Sequence, residues 1–277
     1  MAITIAVVGV GLIGGSFALA TRKAGVATRV LGVSSPATLA KALDRGIIDE
    51  GLSLEQAVPQ ADVVFLSATI RSILDTLPRL AGLVSSNTLV TDAGSTKRFI
   101  IDTARHIEGL RFVGGHPMAG KELSGVEQAD AQLFVDRPWV LSAPYAADHS
   151  GIDALMPLLE AIGARPVVMP AAQHDSVVAR TSHLPQLLST ALAASLDGHF
   201  QAQTPTLAGP GLLDATRLAL SPFTVWRDIL ETNRDEISKA MTEFLEQWQT
   251  QFTHLADDVD LSQQFRVAAD FARRLRD

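Results

Sequence analysis

The chain predicts an α/β fold: a doubly wound, mostly parallel sheet followed by an all-helical dimerisation domain. Three observations predict it. A β-branched and apolar run ends in a glycine-spaced turn, Gly9-Val10-Gly11-Leu12-Ile13-Gly14, that opens a helical pattern. Strand-like and helix-like stretches then alternate as far as Met169. From Pro170 onward no strand candidate appears. The division is therefore set there, with residues 1–170 as the nucleotide-binding half and 171–277 as the helical half.

In order, ITIAVVG from Ile3 is the first strand, and Ile13, Phe17, Ala20, Thr21 and Ala24 mark an amphipathic helix after it. Arg29 to Ser34 is the second strand and Pro36 to Leu43 a short helix. Asp62 to Ser67 is an apolar run of buried-strand type, followed by a helix at Ile70 to Leu83. Thr88 to Asp92 is a strand and Lys97 to His106 a helix. Three further strands lie at Arg111 to Gly115, Trp139 to Ala143 and Pro166 to Met169, with a helix at Ile152 to Ile162.

The second half reads as helices at Ala172 to Leu196, Gly211 to Leu220, Pro222 to Phe252 and Leu261 to Leu275. Ser221-Pro222 has the form of an N-cap followed by N1. Phe223, Trp226, Leu230, Ile237, Met241, Phe244, Trp248 and Phe252 keep three- and four-residue spacing. A single helix of that length runs about 45 Å, more than a small domain covers. Its surplus apolar face calls for a second copy, so a homodimer formed through this half is expected.

Composition narrows the function classes. With 47% hydrophobic and 19% charged residues the chain is an ordinary globular protein, and a net charge of −7 without a Lys/Arg cluster argues against nucleic acid or an anionic membrane as partner. The absence of cysteine rules out disulfides and thiolate chemistry. No apolar stretch is long enough to span a bilayer and no secretory leader is visible, so the cytoplasm is the expected compartment.

The glycine turn is a dinucleotide fingerprint. Gly9 permits the tight turn, Gly11 lets the backbone approach a pyrophosphate, and Gly14 lets the helix sit against the strand. Leu12 and Ile13 open the helix, whose free N–H groups and dipole face the phosphates. Ligands in doubly wound folds sit at the carboxyl ends of strands. Ala68, after the third strand, is thus an expected cofactor contact. At the end of the second strand an NAD-binding fold carries an acid for the ribose hydroxyls; here Val33-Ser34-Ser35 stands instead. Ser34, Ser35 and Thr38 are donors for a 2′-phosphate, which tips the choice slightly toward NADP over NAD, although no arginine stands beside them.

Three polar clusters fall near strand ends or at the domain junction: Asp92 to Lys97, Gly114 to Lys121 and Thr181 to Pro185. His116, among glycines, is the candidate base, because an imidazole accepts protons near neutrality. Ser95 is either its hydrogen-bond partner or the N-cap of the following helix. Lys97 and Arg98 read as first-turn surface charges. Pro185 leaves the carbonyl of Thr181 without its donor, so a helix kink turning His183 toward the cleft is expected. The histidines at 106, 149, 174, 199 and 254 read as surface residues, and no cluster suggests a metal.

Together VVGVGLIGGS, RGIIDEG, TDAGSTK, GGHPMAGKELSG, TSHLP and DATRLALSPFTVWRDI, in this order, resemble the TyrA family of prephenate and arogenate dehydrogenases. The resemblance implies NAD(P)-dependent oxidative decarboxylation of a cyclohexadienyl carboxylate in tyrosine biosynthesis. It implies that His116 holds the ring hydroxyl, that Ser95 assists, and that Arg217 binds the ring carboxylate, a task suited to a guanidinium fork. His183, Lys121 and Trp226 fall where such enzymes line the substrate pocket. Gln186 stands where the family often has a histidine contacting the substrate side chain.

Two other readings compete. A β-hydroxyacid dehydrogenase would use a lysine and an asparagine of the helical half; Asn233 and Lys239 do not have that spacing, and the HPMAG and SHLP elements would go unexplained. A non-catalytic nucleotide-sensing dimer has no use for His116, Ser95 and Arg217 together.

Overall fold

The computed structural model describes residues 3–121, 123–144, 150–201, 204–255 and 258–276. Eight strands form one sheet: β1 (Ile3–Val8), β2 (Ala27–Val33), β3 (Glu50–Gly51), β4 (Val63–Leu66), β5 (Leu89–Asp92), β6 (Arg111–Pro117), β7 (Pro138–Ser142) and β8 (Arg165–Val168). Their order is β3-β2-β1-β4-β5-β6-β7-β8, parallel throughout except for the antiparallel β6–β7 pair. β1 and β4 are neighbours although β2 and β3 come between them in sequence, so the strand order reverses at the carboxyl end of β1. A nucleotide crevice opens at such a reversal.

The helices are α1 (Leu12–Lys23), α2 (Pro36–Asp44), α3 (Leu54–Ala57), α4 (Ile70–Thr76), α5 (Arg98–Arg105), α6 (Ser150–Ala161), α7 (Ala171–Val178), α8 (Leu184–Asp197), α9 (Thr204–Leu207), α10 (Pro210–Thr216), α11 (Phe223–Thr232), α12 (Arg234–Thr253) and α13 (Asp258–Arg274). The two sheet faces are covered by separate cores. Phe17, Phe65, Phe134 and Trp139 pack on one face, with Phe17 and Phe65 ring centroids 4.2 Å apart. Ile73, Leu77, Ile100, Ile101 and Phe112 fill the other, joined by Ile229 from α11.

The structure departs from the sequence reading in the helical half. The helix expected over Pro222 to Phe252 is two helices, broken at Asn233, whose backbone leaves the helical region at φ −130° and ψ 26°. Pro222 occupies the cap position of α11 itself, so Ser221 is not its N-cap. The apolar stripe also divides. Ile237 is buried on its own chain, whereas Met241, Trp248 and Phe252 are exposed. The middle of the stripe is therefore used within the chain, leaving Phe223 at its start and the distal residues for a second copy. Phe265, Val267 and Phe271 of α13 add to that exposed apolar surface. Among the described residues no helix is long and apolar enough to cross a membrane.

Candidate functional site

The glycine turn fits a dinucleotide. Gly9 adopts φ +98°, and a Cβ there would come within 2.7 Å of the Ala68 backbone nitrogen. Only glycine is accommodated at that point. A side chain at Gly14 would strike the Gly9 carbonyl oxygen, so α1 sits directly on the turn. Gly11, by contrast, faces open space. It is the N-cap of α1 and uses no side-chain cap, which leaves the first N–H groups of the helix directed at the crevice.

That crevice, of about 700 Å³, is lined by Gly9, Gly11, Leu12, Ile13, Ser34, Thr38, Lys41, Ala68, Ser95 and Glu127, with Val225, Asp228 and Ile229 of α11 closing one side. The lining includes the expected glycine-turn, Ser34, Thr38 and Ala68 positions. Ser35 sits just behind as the N-cap of α2, its hydroxyl accepting from the Thr38 backbone N–H at 3.3 Å. Sequence reading missed Lys41. It stands one turn beyond Thr38 on the crevice side and is paired with Glu127.

His116 lies within β6, opposite Val140 of β7, rather than in the loop beyond the strand. Its Nδ1 is 2.8 Å from His174 Nε2, and His174 Nδ1 is 2.8 Å from Asp175 Oδ1. His174, read from sequence as a surface residue, is 1% exposed. Burial first, then the proximity of His174, Lys97 and His183, which would repel a second positive charge, hold His116 well below the ordinary imidazole range. The ring is therefore neutral at pH 7 and available to accept a proton.

Asp175 also accepts from the backbone N–H groups of Lys97 at 2.7 Å and Arg98 at 3.0 Å. The N-terminus of α5 is thus capped by a carboxylate from α7, and Ser95, three residues ahead of the helix, is not its cap. Lys97 is not a surface charge either. It is fully buried and ion-paired with Asp92. Asp92 in turn accepts from the Gly94 and Gly115 N–H groups at 2.7 and 2.9 Å, tying the turn after β5 to β6 beside His116. Arg98 bridges Asp175 and Asp235.

The helix carrying the TSHLP element loosens into a π-helical turn over Ala179–His183, just before Pro185, where the missing proline N–H leads one to expect an irregularity. His183 is buried there, 3.3 Å from Asn233 Nδ2 and edge-on to Trp226 at 5.9 Å between centroids. Asn233 also donates to the Asp175 carbonyl at 2.8 Å. The break between α11 and α12 therefore inserts an amide between two site residues. Gln186 is buried, its Nε2 donating to the Leu218 carbonyl at 2.8 Å. Leu218 can only accept, so the amide orientation is fixed, and Gln186 Oε1 is left without a partner.

Two expected substrate contacts lie elsewhere in the chain. Lys121 is exposed and bonded to Asp130 at 3.0 Å. Arg217 is on the exposed turn Arg217–Leu220. Neither is among the residues lining the crevice, and His116, His183, Gln186 and Trp226 lie outside that lining as well. Of the remaining histidines, 106 and 199 are exposed, 254 is half-buried, and 149 lies outside the described residues. Among the described residues no cluster has the make-up of a metal site.

A glycine turn at the switch point of a mostly parallel sheet, a neutral half-buried histidine at the end of β6 and a helical second half define a nicotinamide-dependent dehydrogenase of Rossmann type. Comparison with known proteins places it more closely. Residues 17–168 match the family described as prephenate dehydrogenase, nucleotide-binding domain, and residues 170–267 match prephenate dehydrogenase, dimerization domain. The chain belongs to the prephenate dehydrogenase family. It is 34% identical over 278 residues to the prephenate dehydrogenase of Bacillus subtilis (strain 168), covering 97% of this chain and 75% of that protein. Its fold superposes on prephenate dehydrogenase from A. aeolicus in complex with hydroxyphenyl propionate and NAD+ with a TM-score of 0.92, at 30% identity, covering 100% of this chain and 99% of that one. Synechocystis arogenate dehydrogenase superposes with a TM-score of 0.86 at 29% identity, over 99% and 100% of the two chains.

Proposed function

We propose that this protein is a cytoplasmic homodimeric enzyme that oxidatively decarboxylates prephenate or arogenate in tyrosine biosynthesis. The observation that carries the reading is His116, half-buried, uncharged and following Gly115, whose N–H is bonded to Asp92 at the head of the crevice turn. Bound nicotinamide supplies the hydride-accepting ring carbon. His116 takes the proton of the ring hydroxyl as hydride leaves the carbinol carbon, and Ser95 hydrogen-bonds the same oxygen. The ring carboxylate then departs as CO₂, and the electron pair of the broken C–C bond aromatises the ring.

Arg217 is the partner we assign to that carboxylate. The assignment requires the turn Arg217–Leu220, tied to Gln186 through the Leu218 carbonyl, to deliver its guanidinium to the substrate. His183, Trp226 and Lys121 complete the substrate side. We assign residues 1–170 to the nucleotide and residues 171–277 to the dimer and substrate. The unpartnered acceptor of Gln186 favours a substrate side chain that donates, the ammonium of arogenate, over the keto group of prephenate.

For the cofactor we favour NADP over NAD. Ser34, Ser35 and Thr38 offer donors and Lys41 a cation around the position of a 2′-phosphate, with no carboxylate at the end of β2 to repel it. The deciding experiment mixes the protein with prephenate or arogenate and NADP+ or NAD+ and follows reduced-nicotinamide absorbance. No turnover in all four combinations overturns the reading.

A further inference from the structure

The proposed oxidation uses only the outer end of a line of three groups. His116, His174 and Asp175 are joined by two contacts of 2.8 Å each, the two imidazole rings standing at 78° to one another. His174 and Asp175 are sealed from solvent, at 1% and 0% exposure. Water therefore cannot replace either partner.

The protonation of the line follows from its inner end. Everything that reaches Asp175 is a donor: the Lys97 and Arg98 backbone N–H groups, the Arg98 guanidinium at 3.4 Å and the His174 ring. Burial alone would raise this carboxyl, but these bonds outweigh it and hold Asp175 below the usual carboxylate range. A carboxylate that only accepts requires the His174 proton at Nδ1. Neutral His174 then carries a lone pair at Nε2, so His116 must donate from Nδ1. That leaves the lone pair of His116 on Nε2. The charged groups around the pair are Asp175, the buried Lys97–Asp92 pair and Arg98, with the titratable but uncharged His183 beside them. Burial and the nearby Lys97 ammonium oppose a second resident proton.

We propose that His174 and Asp175 are positioning residues that hold His116 in its Nδ1–H tautomer and stabilise the positive charge that forms when Nε2 takes up a proton. The inference rests on His116 being the base of the proposed reaction. In that step the substrate O–H bond breaks and an N–H bond forms at His116 Nε2, while hydride leaves separately for the nicotinamide. The ring becomes an imidazolium whose Nδ1–H bond to His174 strengthens, and His174 passes the electrostatic support of Asp175 outward. The opposite tautomer would present an N–H where an acceptor is needed. A third group fixing the tautomer of a catalytic histidine is worth orders of magnitude in turnover.

The test reads the tautomer directly. Full-length protein with ¹⁵N-labelled histidines, unliganded and at neutral pH, is compared with His116→Asn to assign the His116 ring signals. Wild type is expected to show a protonated Nδ1 and an unprotonated Nε2. In His174→Gln the amide oxygen still accepts from His116 Nδ1, so the tautomer persists; in His174→Leu it is lost. Turnover should fall about 100-fold or more in His174→Leu and recover roughly tenfold of that in His174→Gln, with cofactor affinity unchanged. Asp175→Asn should also lower the pH at which kcat/KM falls off on the acid side, because the imidazolium loses its anion. A protonated Nε2 in wild type overturns the proposal. So does equal impairment of the Gln and Leu variants together with an unmoved acid limb, which marks a packing role only. If the protein turns over neither substrate, the proposed function fails while the ¹⁵N measurement still decides the line.

Discussion

Lys97 and Asp92 form an ion pair in which neither side chain has any solvent exposure, directly beneath the strand ends that carry the site. Asp92 also accepts from the Gly94 and Gly115 N–H groups. The pair thus braces two segments flanking His116, and it places a buried cation near the histidine we propose as the base. Lys97→Met should be strongly destabilising, by about 3–5 kcal/mol, since it leaves an uncompensated buried carboxylate. Chemical denaturation measures this, and a loss under about 1 kcal/mol would show that the pair is not a brace.

His116→Asn should lower kcat by roughly 10²- to 10⁴-fold with KM little changed, because the base acts mainly in the transition state. Cofactor affinity should match wild type, as the residue is not in the glycine turn. Near-normal turnover at saturating substrate would remove His116 from the role.

Arg217→Ala should instead act on binding, raising KM by about 30-fold or more if the ring carboxylate loses its partner. Some loss of kcat is expected with it, since the carboxylate must be aligned for loss of CO₂. Steady-state kinetics with unchanged KM would show that the exposed turn never delivers this guanidinium.

Ser34→Asp should move cofactor preference toward NAD, because a carboxylate accepts from ribose hydroxyls and repels a 2′-phosphate. Lys41→Ala should lower kcat/KM for NADP by about tenfold, or about 1.4 kcal/mol, and leave NAD nearly untouched. A wild-type preference for NAD above about tenfold contradicts the assignment of these residues.

Stability should begin to fall on acidification above the carboxylate range. Burial, assisted by His174 and opposed by Asp175, lowers His183 to about 4. Its folded pKa lies below the unfolded value near 6.5, so the unfolded chain binds the extra proton between these values and stability drops as pH falls through them. The loss from His183 is about 2–3 kcal/mol by pH 4.5, and His116 shifts in the same direction. Urea denaturation at pH 7 and 4.5 measures it. A flat profile would mean that His183 is charged or solvated in the folded state.

The sheet was legible because its long strands are continuous apolar runs bounded by glycine and polar turns, a pattern that buried parallel strands enforce. The two-residue β3 is too short to leave such a trace. The nucleotide side of the site was legible for a related reason, since Gly9 and Gly14 answer local backbone demands. The interior of the catalytic side was not. Lys97 and His174 look like solvated residues at helix starts, and what buries them is remote: Asp175 reaches the Arg98 N–H across 77 residues. Asn233 was equally opaque, because the apolar spacing runs on through it. Its value lies in partners at 175 and 183 that no local pattern reveals.

The cap on α5 is supplied by α7, so the sheet and the helical half share one electrostatic joint. A polypeptide in which the helices have come away keeps the glycine turn of its dinucleotide seat, loses the α11 wall and surrenders the anion behind its histidine. Such a species holds cofactor without the means to draw a proton from a hydroxyl. Damage to the docking of the two halves therefore yields an inert binder rather than a leaky catalyst, and thermal inactivation should precede the loss of nucleotide binding.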